Sequence, residues 1–231
     1  MVNENKLWDK LAREYLLKVE EKSSQGFLIR SLALNPYLFK AAGNVKGKII
    51  LDYGCGDGWL SRKLAKEGAE VFACDISQEF IKLAKQKGGK IKYSLIKENK
   101  ELPYHNSQFD IIVSNIVLHI TKEYKKVIQE SYRVLKKDGK AIFTIMHPLY
   151  WKADDINPKY LKEESSKIEV EGIKGIIHYR RFPKTYLSEF KKAGFRDIKQ
   201  TECKADKRKA KKYNLIKYAE QPYFLLFEMK K

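Results

Sequence analysis

A glycine-rich loop follows the first apolar run of the sequence. Three glycines stand at alternate positions, Gly54, Gly56 and Gly58, and a helical segment begins directly after them. Glycine lets the backbone turn sharply and approach a ligand closely, because it carries no Cβ. The amides at the start of the following helix can bind a carboxylate or another anion. The loop therefore predicts a small-molecule site.

Two acids flank this loop, each at the end of a predicted strand. Asp52 ends the apolar run before the glycines and can face an ammonium group of a ligand. Asp75 stands 21 residues after Gly54, at the end of the second predicted strand. An acid in that place typically accepts hydrogen bonds from both hydroxyls of a ribose. The pattern favours a nucleoside ligand.

Strands and helices alternate around these residues. The predicted strands are 48–53, 70–74, 90–95, 109–114 and 140–146, and the interposed helices include 59–67, 78–86 and 122–135. Continuous apolar runs are typical of buried parallel strands, and alternation with helices indicates a doubly wound sheet. Ligands of such sheets bind outside the carboxyl ends of the strands.

The chain ends differ from this alternating region. Residues 1–46 have a helical pattern, with Leu7, Leu11, Tyr15 and Val19 on one face. Residues 148–182 are weakly periodic and indicate an insertion that can roof the site. A helix at 186–193 and strands at 197–203 and 223–228 follow, with a basic loop at 204–217. We expect a single domain over 1–231, with 1–46 as a helical cap.

The glycine loop resembles motif I of the class I S-adenosylmethionine (AdoMet)-dependent methyltransferases. Its spacing is G-x-G-x-G, whereas the dehydrogenase fingerprint is G-x-G-x-x-G. The resemblance continues at Asp75, at Leu102-Pro103 with the strand that follows, and at 132–140, which is similar to the family's "RVLKPGG" turn. The nearest group is the small-molecule, "type 11"-like one. The resemblance implies an α/β fold: a Rossmann-like, doubly wound, seven-stranded sheet, mostly parallel with an antiparallel last strand and helices on both faces.

The resemblance also implies roles for individual residues. In that family the glycine loop holds the methionine moiety, the second-strand acid holds the ribose, and the fourth strand ends beside the sulfonium. The cofactor-binding residues expected on this basis are Asp52, Tyr53, Gly54, Cys55, Gly56, Gly58, Asp75, Ile76, Glu98, Asn99 and Asn115. The family often has Asp-Ala-Glu where this chain has Glu98-Asn99-Lys100, so the contact to the adenine edge stays open. Structural alternatives are helix–sheet packing for Gly58, an N-cap for Asp75 and a plain loop position for Asn115.

Methyl transfer from a sulfonium is an in-line displacement that needs no metal, and a base helps where the nucleophile must lose a proton. His147 follows the fifth predicted strand directly, and Pro148 restricts its backbone. We therefore predict His147 as a catalytic residue. The residues expected to contact the acceptor are His119, Tyr150, Trp151, His178, Tyr179 and Arg180. The product would be S-adenosylhomocysteine.

Charge and composition leave alternatives open. The chain has a net charge of +18, yet only eight of its 47 basic residues are arginine, the residue favoured for clamping phosphates. A small-molecule acceptor is the main hypothesis, and a tRNA or RNA methyltransferase that uses the basic surface is the alternative. Two further hypotheses are an AdoMet-binding regulator without catalytic activity and a nucleotide-binding dehydrogenase.

The sequence also gives indications about cellular location and metal binding. No apolar run is long enough to span a bilayer and no secretory signal is recognisable at the amino terminus, so we expect a cytoplasmic protein. Three scattered cysteines, Cys55, Cys74 and Cys203, do not form a metal-binding pattern, and no metal is expected.

Overall fold

A seven-stranded sheet forms the centre of the computed structural model, which describes residues 4–20, 24–97, 100–148, 163–170 and 173–231. Its strands are β1 (Ile49–Tyr53), β2 (Glu70–Asp75), β3 (Ile91–Leu95), β4 (Phe109–Asn115), β5 (Leu135–Met146), β8 (Arg196–Cys203) and β9 (Phe224–Lys230). Their spatial order is β3-β2-β1-β4-β5-β9-β8. The first five strands are parallel, and β9 runs antiparallel between β5 and β8. The predicted sheet, including its antiparallel last strand, is confirmed.

Helices cover both faces of this sheet, because neighbouring residues of a strand point to opposite sides. Ile50 of β1 packs with α3 (Asn35–Ala42) and α4 (Trp59–Lys66) on one face. Leu51 packs on the other face with α6 (Tyr124–Val134) and α7 (Pro183–Ala193). Helix α5 (Gln78–Gln86) connects β2 to β3. The carboxyl ends of β1, β2 and β4 therefore open at one edge of the sheet.

A roof lies over this edge, formed by α1 (Glu4–Glu20) and a hairpin of β6 (Glu164–Val170) and β7 (Ile173–Arg180). Trp8, Leu11 and Leu16 of α1 pack with Phe80 of α5 and with two isoleucines of β7. After α1 come α2 (Gln25–Ile29) and a π-helical segment (Arg30–Leu34) that continues into α3. No helix among the described residues is both long and apolar enough to cross a membrane.

Three boundaries differ from the sequence prediction. Helix α6 ends at Val134, and β5 begins at Leu135 and runs through Gly139, where a turn was expected. Helix α7 begins at Pro183, because proline is tolerated in a first helical turn. The segment expected as a basic loop contains α8 (Lys207–Lys212) and α9 (Lys217–Glu220). The Asp206 side chain accepts a hydrogen bond from the Lys209 amide and so caps α8.

Arg133 explains why two distant sequence motifs occur together. Its guanidinium donates to the carbonyls of Leu102 (3.1 Å) and Tyr104 (2.9 Å), and to the Glu130 carboxylate at 2.7 Å. The Leu102 amide donates to the same carboxylate, also at 2.7 Å. The arginine of the "RVL" turn thereby fixes the loop that carries Leu102-Pro103, and with it the approach to β4.

Replacing Arg133 with Met should destabilise the fold strongly. It leaves Glu130, whose side chain is 5% exposed, with Lys126 at 3.6 Å as its remaining cation among the described residues, and breaking a buried ion pair costs up to about 3–5 kcal/mol. Urea unfolding measures the change. Arg196→Met is the matched control, because Arg196 and Asp138 pair on the surface with side chains 50% and 67% exposed. A surface pair contributes at most about 1 kcal/mol, and equal losses in the two variants would refute the clamp.

Candidate functional site

The glycine loop crosses from the end of β1 to the start of α4. The amide of Gly54 donates to the Cys74 carbonyl of β2 at 2.8 Å, which bends the loop over the neighbouring strand. Gly54 has a φ of 74°, and a Cβ there would lie 2.4 Å from Cγ2 of Val117. Both the backbone conformation and the space therefore require glycine.

Gly58 serves a different purpose from the other two glycines. A Cβ at Gly58 would lie 2.4 Å from the Tyr93 hydroxyl of β3. Gly58 is not among the residues that line the cavities described below. Gly58 therefore packs closely between helix and sheet, and its predicted ligand contact stays a prediction.

Asp75 ties the loop to the end of β2. Its Oδ2 accepts from the Gly56 amide at 2.8 Å, and its Oδ1 accepts from the Ser77 amide at 2.9 Å. The side chain is buried, and burial raises its pKa to about 6, with both amides acting in the opposite direction. Ser77, not Asp75, caps α5. Asp75 therefore holds the loop and faces a cavity at the same time.

Asp52 lies beneath the loop and is 1% exposed. Its Oδ2 accepts from the Ser61 hydroxyl at 2.5 Å. Burial raises the pKa of Asp52 to about 7, the Ser61 bond lowers it, and the negative charge of Asp75 raises it further. Such a carboxyl favours a bound cation, because a cation would stabilise its ionised form.

Asn115 ends β4, and Thr144 of β5 orients it. The Thr144 hydroxyl donates to the Asn115 side-chain carbonyl at 2.6 Å and accepts from the Ile116 amide at 3.0 Å. Because the side-chain oxygen of Asn115 accepts this bond, its NH₂ group remains as the donor that a ligand in the cleft could use. The structure thus gives Asn115 a fixed orientation where a plain loop position was the alternative.

Two adjoining cavities open around these residues. The acid cavity, about 130 Å³, is lined by Glu4, Trp8, Tyr53, Asp75, Ile76, Ile96 and Val117 among others. The loop cavity, about 540 Å³, is lined by Asp52, Cys55, Asp57, Arg30 and Lys63 among others. Tyr15, Gly54, Gly56, Phe80, Asn115 and Ile116 line both cavities. Together they form one cleft at the carboxyl edge of the sheet, in the size range of small-molecule sites.

A third, smaller cavity of about 50 Å³ lies beneath the hairpin, and we call it the histidine cavity. Its lining is mostly apolar and includes His119, Met146, Ile176, Tyr223 and Phe224, and it shares Tyr15 and Ile116 with the cleft. His119 is 2% exposed, and its Nδ1 has no hydrogen-bond partner among the described residues.

His178 of β7 packs against His119, with ring centroids 5.4 Å apart. Burial lowers the pKa of both imidazoles, and the positive charge of Arg181 lowers both further. The two rings are therefore neutral near pH 7.

Several predicted residues lie elsewhere. His147 is buried beside Glu202 of β8, with Nε2 3.8 Å from the carboxylate, and it is not among the residues lining the three cavities. Its amide donates to the Tyr223 carbonyl at 2.9 Å, which extends the pairing of β5 with β9 by one residue. Its catalytic role stays a prediction, and this geometry argues against it.

Two other predicted acceptor contacts are engaged within the roof. Arg180 pairs with Glu164 across the hairpin at 2.7 Å, and the Tyr179 hydroxyl donates to Glu4 at 3.0 Å. Glu98, Asn99, Tyr150 and Trp151 lie outside the described residues. In the part of the chain that is described, no group of three or more His, Cys, Asp or Glu side chains is placed to hold a metal ion.

Sequence reasoning missed the residues that α1 contributes. Glu4, Trp8 and Tyr15 line the cleft from one face of the helix. Their spacing of four and seven residues is the signal that could have revealed them. The periodicity of α1 indicated only an apolar face, and nothing in the sequence says against which element that face packs.

Comparisons with known proteins point to one family. Residues 51–143 match a family model described as a methyltransferase domain. A malonyl-[acyl-carrier protein] O-methyltransferase of Hamiltonella defensa is 30% identical over 109 residues, 47% of this chain and 42% of that protein. An uncharacterized protein of Methanocaldococcus jannaschii is 30% identical over 152 residues, 66% of each chain. The chain spans less than half the length of the first of these relatives.

The fold has close structural relatives. The crystal structure of an S-adenosylmethionine-dependent methyltransferase from Mesorhizobium loti superposes with a TM-score of 0.69 and 22% identity. The superposition covers 85% of this chain and 96% of that one. At this identity the likeness establishes the fold.

Buried Asp52 should make the stability of the protein depend on pH. The folded pKa of Asp52 is about 7 and the ordinary value is 3.8, so the folded state binds a proton that the unfolded chain releases. As the pH rises from 3.8 to about 7, the free energy of unfolding therefore falls, because the folded state has to give up this proton. Asp52→Asn should therefore gain unfolding free energy relative to the original protein between these pH values, as measured by urea unfolding.

Asp110→Asn is the control of opposite sign. Burial acts to raise the Asp110 pKa, but bonds from Lys136 and the Ile49 amide, each 2.8 Å, outweigh it and lower the pKa. This stabilisation is lost as the pH falls through the folded pKa. If both variants change stability in the same direction as the pH rises, the assignment of Asp52 is wrong.

Proposed function

We propose that this chain, whose residues 51–143 match a methyltransferase domain, is a class I AdoMet-dependent methyltransferase that transfers the AdoMet methyl group to a small-molecule acceptor. S-adenosylhomocysteine would be the second product. The observation that carries the proposal is the meeting of three strand ends. The glycine loop after β1, Asp75 after β2 and Asn115 after β4 surround one cleft, at the sheet edge where such folds bind ligands.

The chemistry of the cleft supports one orientation of AdoMet. Asp75 with the apolar walls of Ile76 and Ile96 suits a ribose and an adenine in the acid cavity. Asp52 suits the ammonium of the methionine moiety in the loop cavity. The sulfonium would then lie where the cavities join, near Asn115 and Ile116.

The histidine cavity is the proposed acceptor site. It shares Tyr15 and Ile116 with both parts of the cleft, so an acceptor there would lie next to the methyl group. Its small, mostly apolar lining favours a compact group over a polymer. We propose that neutral His119 accepts a hydrogen bond from the hydroxyl or amine to be methylated. Placement in a near-attack geometry can supply roughly 7–11 kcal/mol.

Further support for a small or carrier-bound acceptor comes from the relatives. One relative is named as a malonyl-[acyl-carrier protein] O-methyltransferase, and another, 31% identical over 123 residues, as a ubiquinone biosynthesis O-methyltransferase. We further propose a single domain in which α1 and the β6–β7 hairpin, which lies within the predicted insertion 148–182, roof the site. The RNA alternative relies on the lysines of α8. The cavity that Lys209 lines does not include the glycine loop, Asp75 or Asn115.

Calorimetry with S-adenosylhomocysteine tests the cofactor site without an acceptor. Its ammonium should favour ionised Asp52, whose pKa is about 7 before binding. Binding near pH 6 should therefore release a proton, and affinity should rise with pH up to about 7.5. Asp52→Asn should lose the proton release and weaken binding roughly 10- to 150-fold at pH 7.5. Binding of NAD⁺ in place of S-adenosylhomocysteine would contradict the proposal and support a dehydrogenase.

Transfer from AdoMet with a labelled methyl group tests the reaction itself. The label should enter a small-molecule fraction of a cell extract and not bulk tRNA. His119→Phe should lower the rate about tenfold or more by removing the bond that orients the acceptor, whereas His147→Gln should change it less than about threefold. Label in tRNA would support the RNA alternative, and binding without any transfer would support the regulator.

A further inference from the structure

The roof of the cleft contains a carboxylate that nothing above has used. Glu4, in the first turn of α1, is 2% exposed and lines the acid cavity. Its Oε1 accepts from the Lys122 amide at 2.9 Å and from the Tyr179 hydroxyl at 3.0 Å. Its Oε2 is buried and has no hydrogen-bond partner among the described residues.

An arrangement of this kind is costly unless a ligand completes it. A buried carboxylate oxygen without a donor loses its hydration and gains nothing in return. No cation compensates for it in the described part of the chain. Two lysines line the same cavity: Lys126, which pairs with Glu130 at 3.6 Å, and Lys100, which forms no ion pair with Glu4. The two bonds to Oε1 hold the side chain in place in the wall of the acid cavity.

We propose that Glu4 binds the adenosyl moiety of the cofactor, with Oε2 accepting a hydrogen bond from a ribose hydroxyl. This inference rests on the proposed function. Glu4 lines the acid cavity and neither of the other two. That cavity also holds Asp75, and both Asp75 oxygens already accept from backbone amides. Glu4, as a second acid in this cavity, supplies a further hydrogen-bond acceptor beside Asp75, whose oxygens are partly engaged by the loop.

A structural consequence follows for the acceptor side. Glu4 joins α1 to β7 through Tyr179 and to the segment after β4 through Lys122. The face of α1 that carries Glu4 also carries Trp8 and Tyr15, which line the histidine cavity. A cofactor bound to Glu4 would therefore hold the wall of the acceptor site in place.

Glu4→Gln tests the proposal with little disturbance of the fold. The glutamine carbonyl can still accept from Lys122 and Tyr179. Its NH₂ group replaces Oε2, and it cannot accept the hydrogen bond that the ribose hydroxyl would donate. Calorimetry with S-adenosylhomocysteine should show affinity lower by roughly 10- to 150-fold. Glu14→Gln is the matched control, because Glu14 lies on the same helix, 48% exposed, and pairs with Lys18.

The 2′-deoxy and 3′-deoxy analogues of S-adenosylhomocysteine identify the hydroxyl concerned. The original protein and Glu4→Gln should bind one of these analogues with equal affinity, because the hydrogen bond between Glu4 and the hydroxyl is then absent from both complexes. S-adenosylhomocysteine should also slow amide hydrogen exchange in α1 of the original protein, and less so in Glu4→Gln.

Two results would overturn the role of Glu4 alone: unchanged affinity of Glu4→Gln, or an equal loss for all three ligands, which would indicate a structural role. Failure of the original protein to bind S-adenosylhomocysteine would overturn the proposed function, and this inference with it.

Discussion

The hydrogen bond from the Gly56 amide to the Asp75 carboxylate is the contact on which the site depends. It holds the loop after β1 to the end of β2, so that two strand ends act as one surface. The same carboxylate accepts from Ser77 at the start of α5, which positions that helix as well. The cost is a buried acid with a raised pKa. A group kept at such cost faces a cavity, as functional acids generally do.

The roof is attached to this framework by polar contacts at three places. Asp9 of α1 accepts from the Ser77 hydroxyl at 2.7 Å, next to the cap of α5. Glu4 bonds to the segment after β4. Arg181, at the end of the hairpin, donates to the Leu118 carbonyl at 2.8 Å and stacks on Tyr124. Each contact ends on a segment that also lines the cleft, so movement of the roof and occupancy of the cleft are physically coupled.

The sequence predicted the sheet and the loop because both depend on local signals. Apolar runs, glycines with positive φ and acids at strand ends are visible without a partner element, as Gly54 and Asp75 illustrate. It did not predict which residues α1 would contribute, since Glu4 and Trp8 become site residues only through packing on α5 and β7. His147 shows the same limit in reverse. The sequence shows that His147 follows β5. It does not show the hydrogen bond to the chain before β9, which determines the position of this residue.

The histidines bear on how the reaction would proceed. Burial lowers the pKa of His119, His147 and His178, with Glu202 opposing this shift only at His147. Imidazoles of this kind accept hydrogen bonds well but hold a proton poorly, so they orient a nucleophile better than they deprotonate it. The sulfonium, for its part, needs no acid to leave as a thioether. A cleft in which the two cavities proposed for the cofactor join a small apolar one therefore favours methyl transfer by placement, with the cost of ordering the reactants borne by binding.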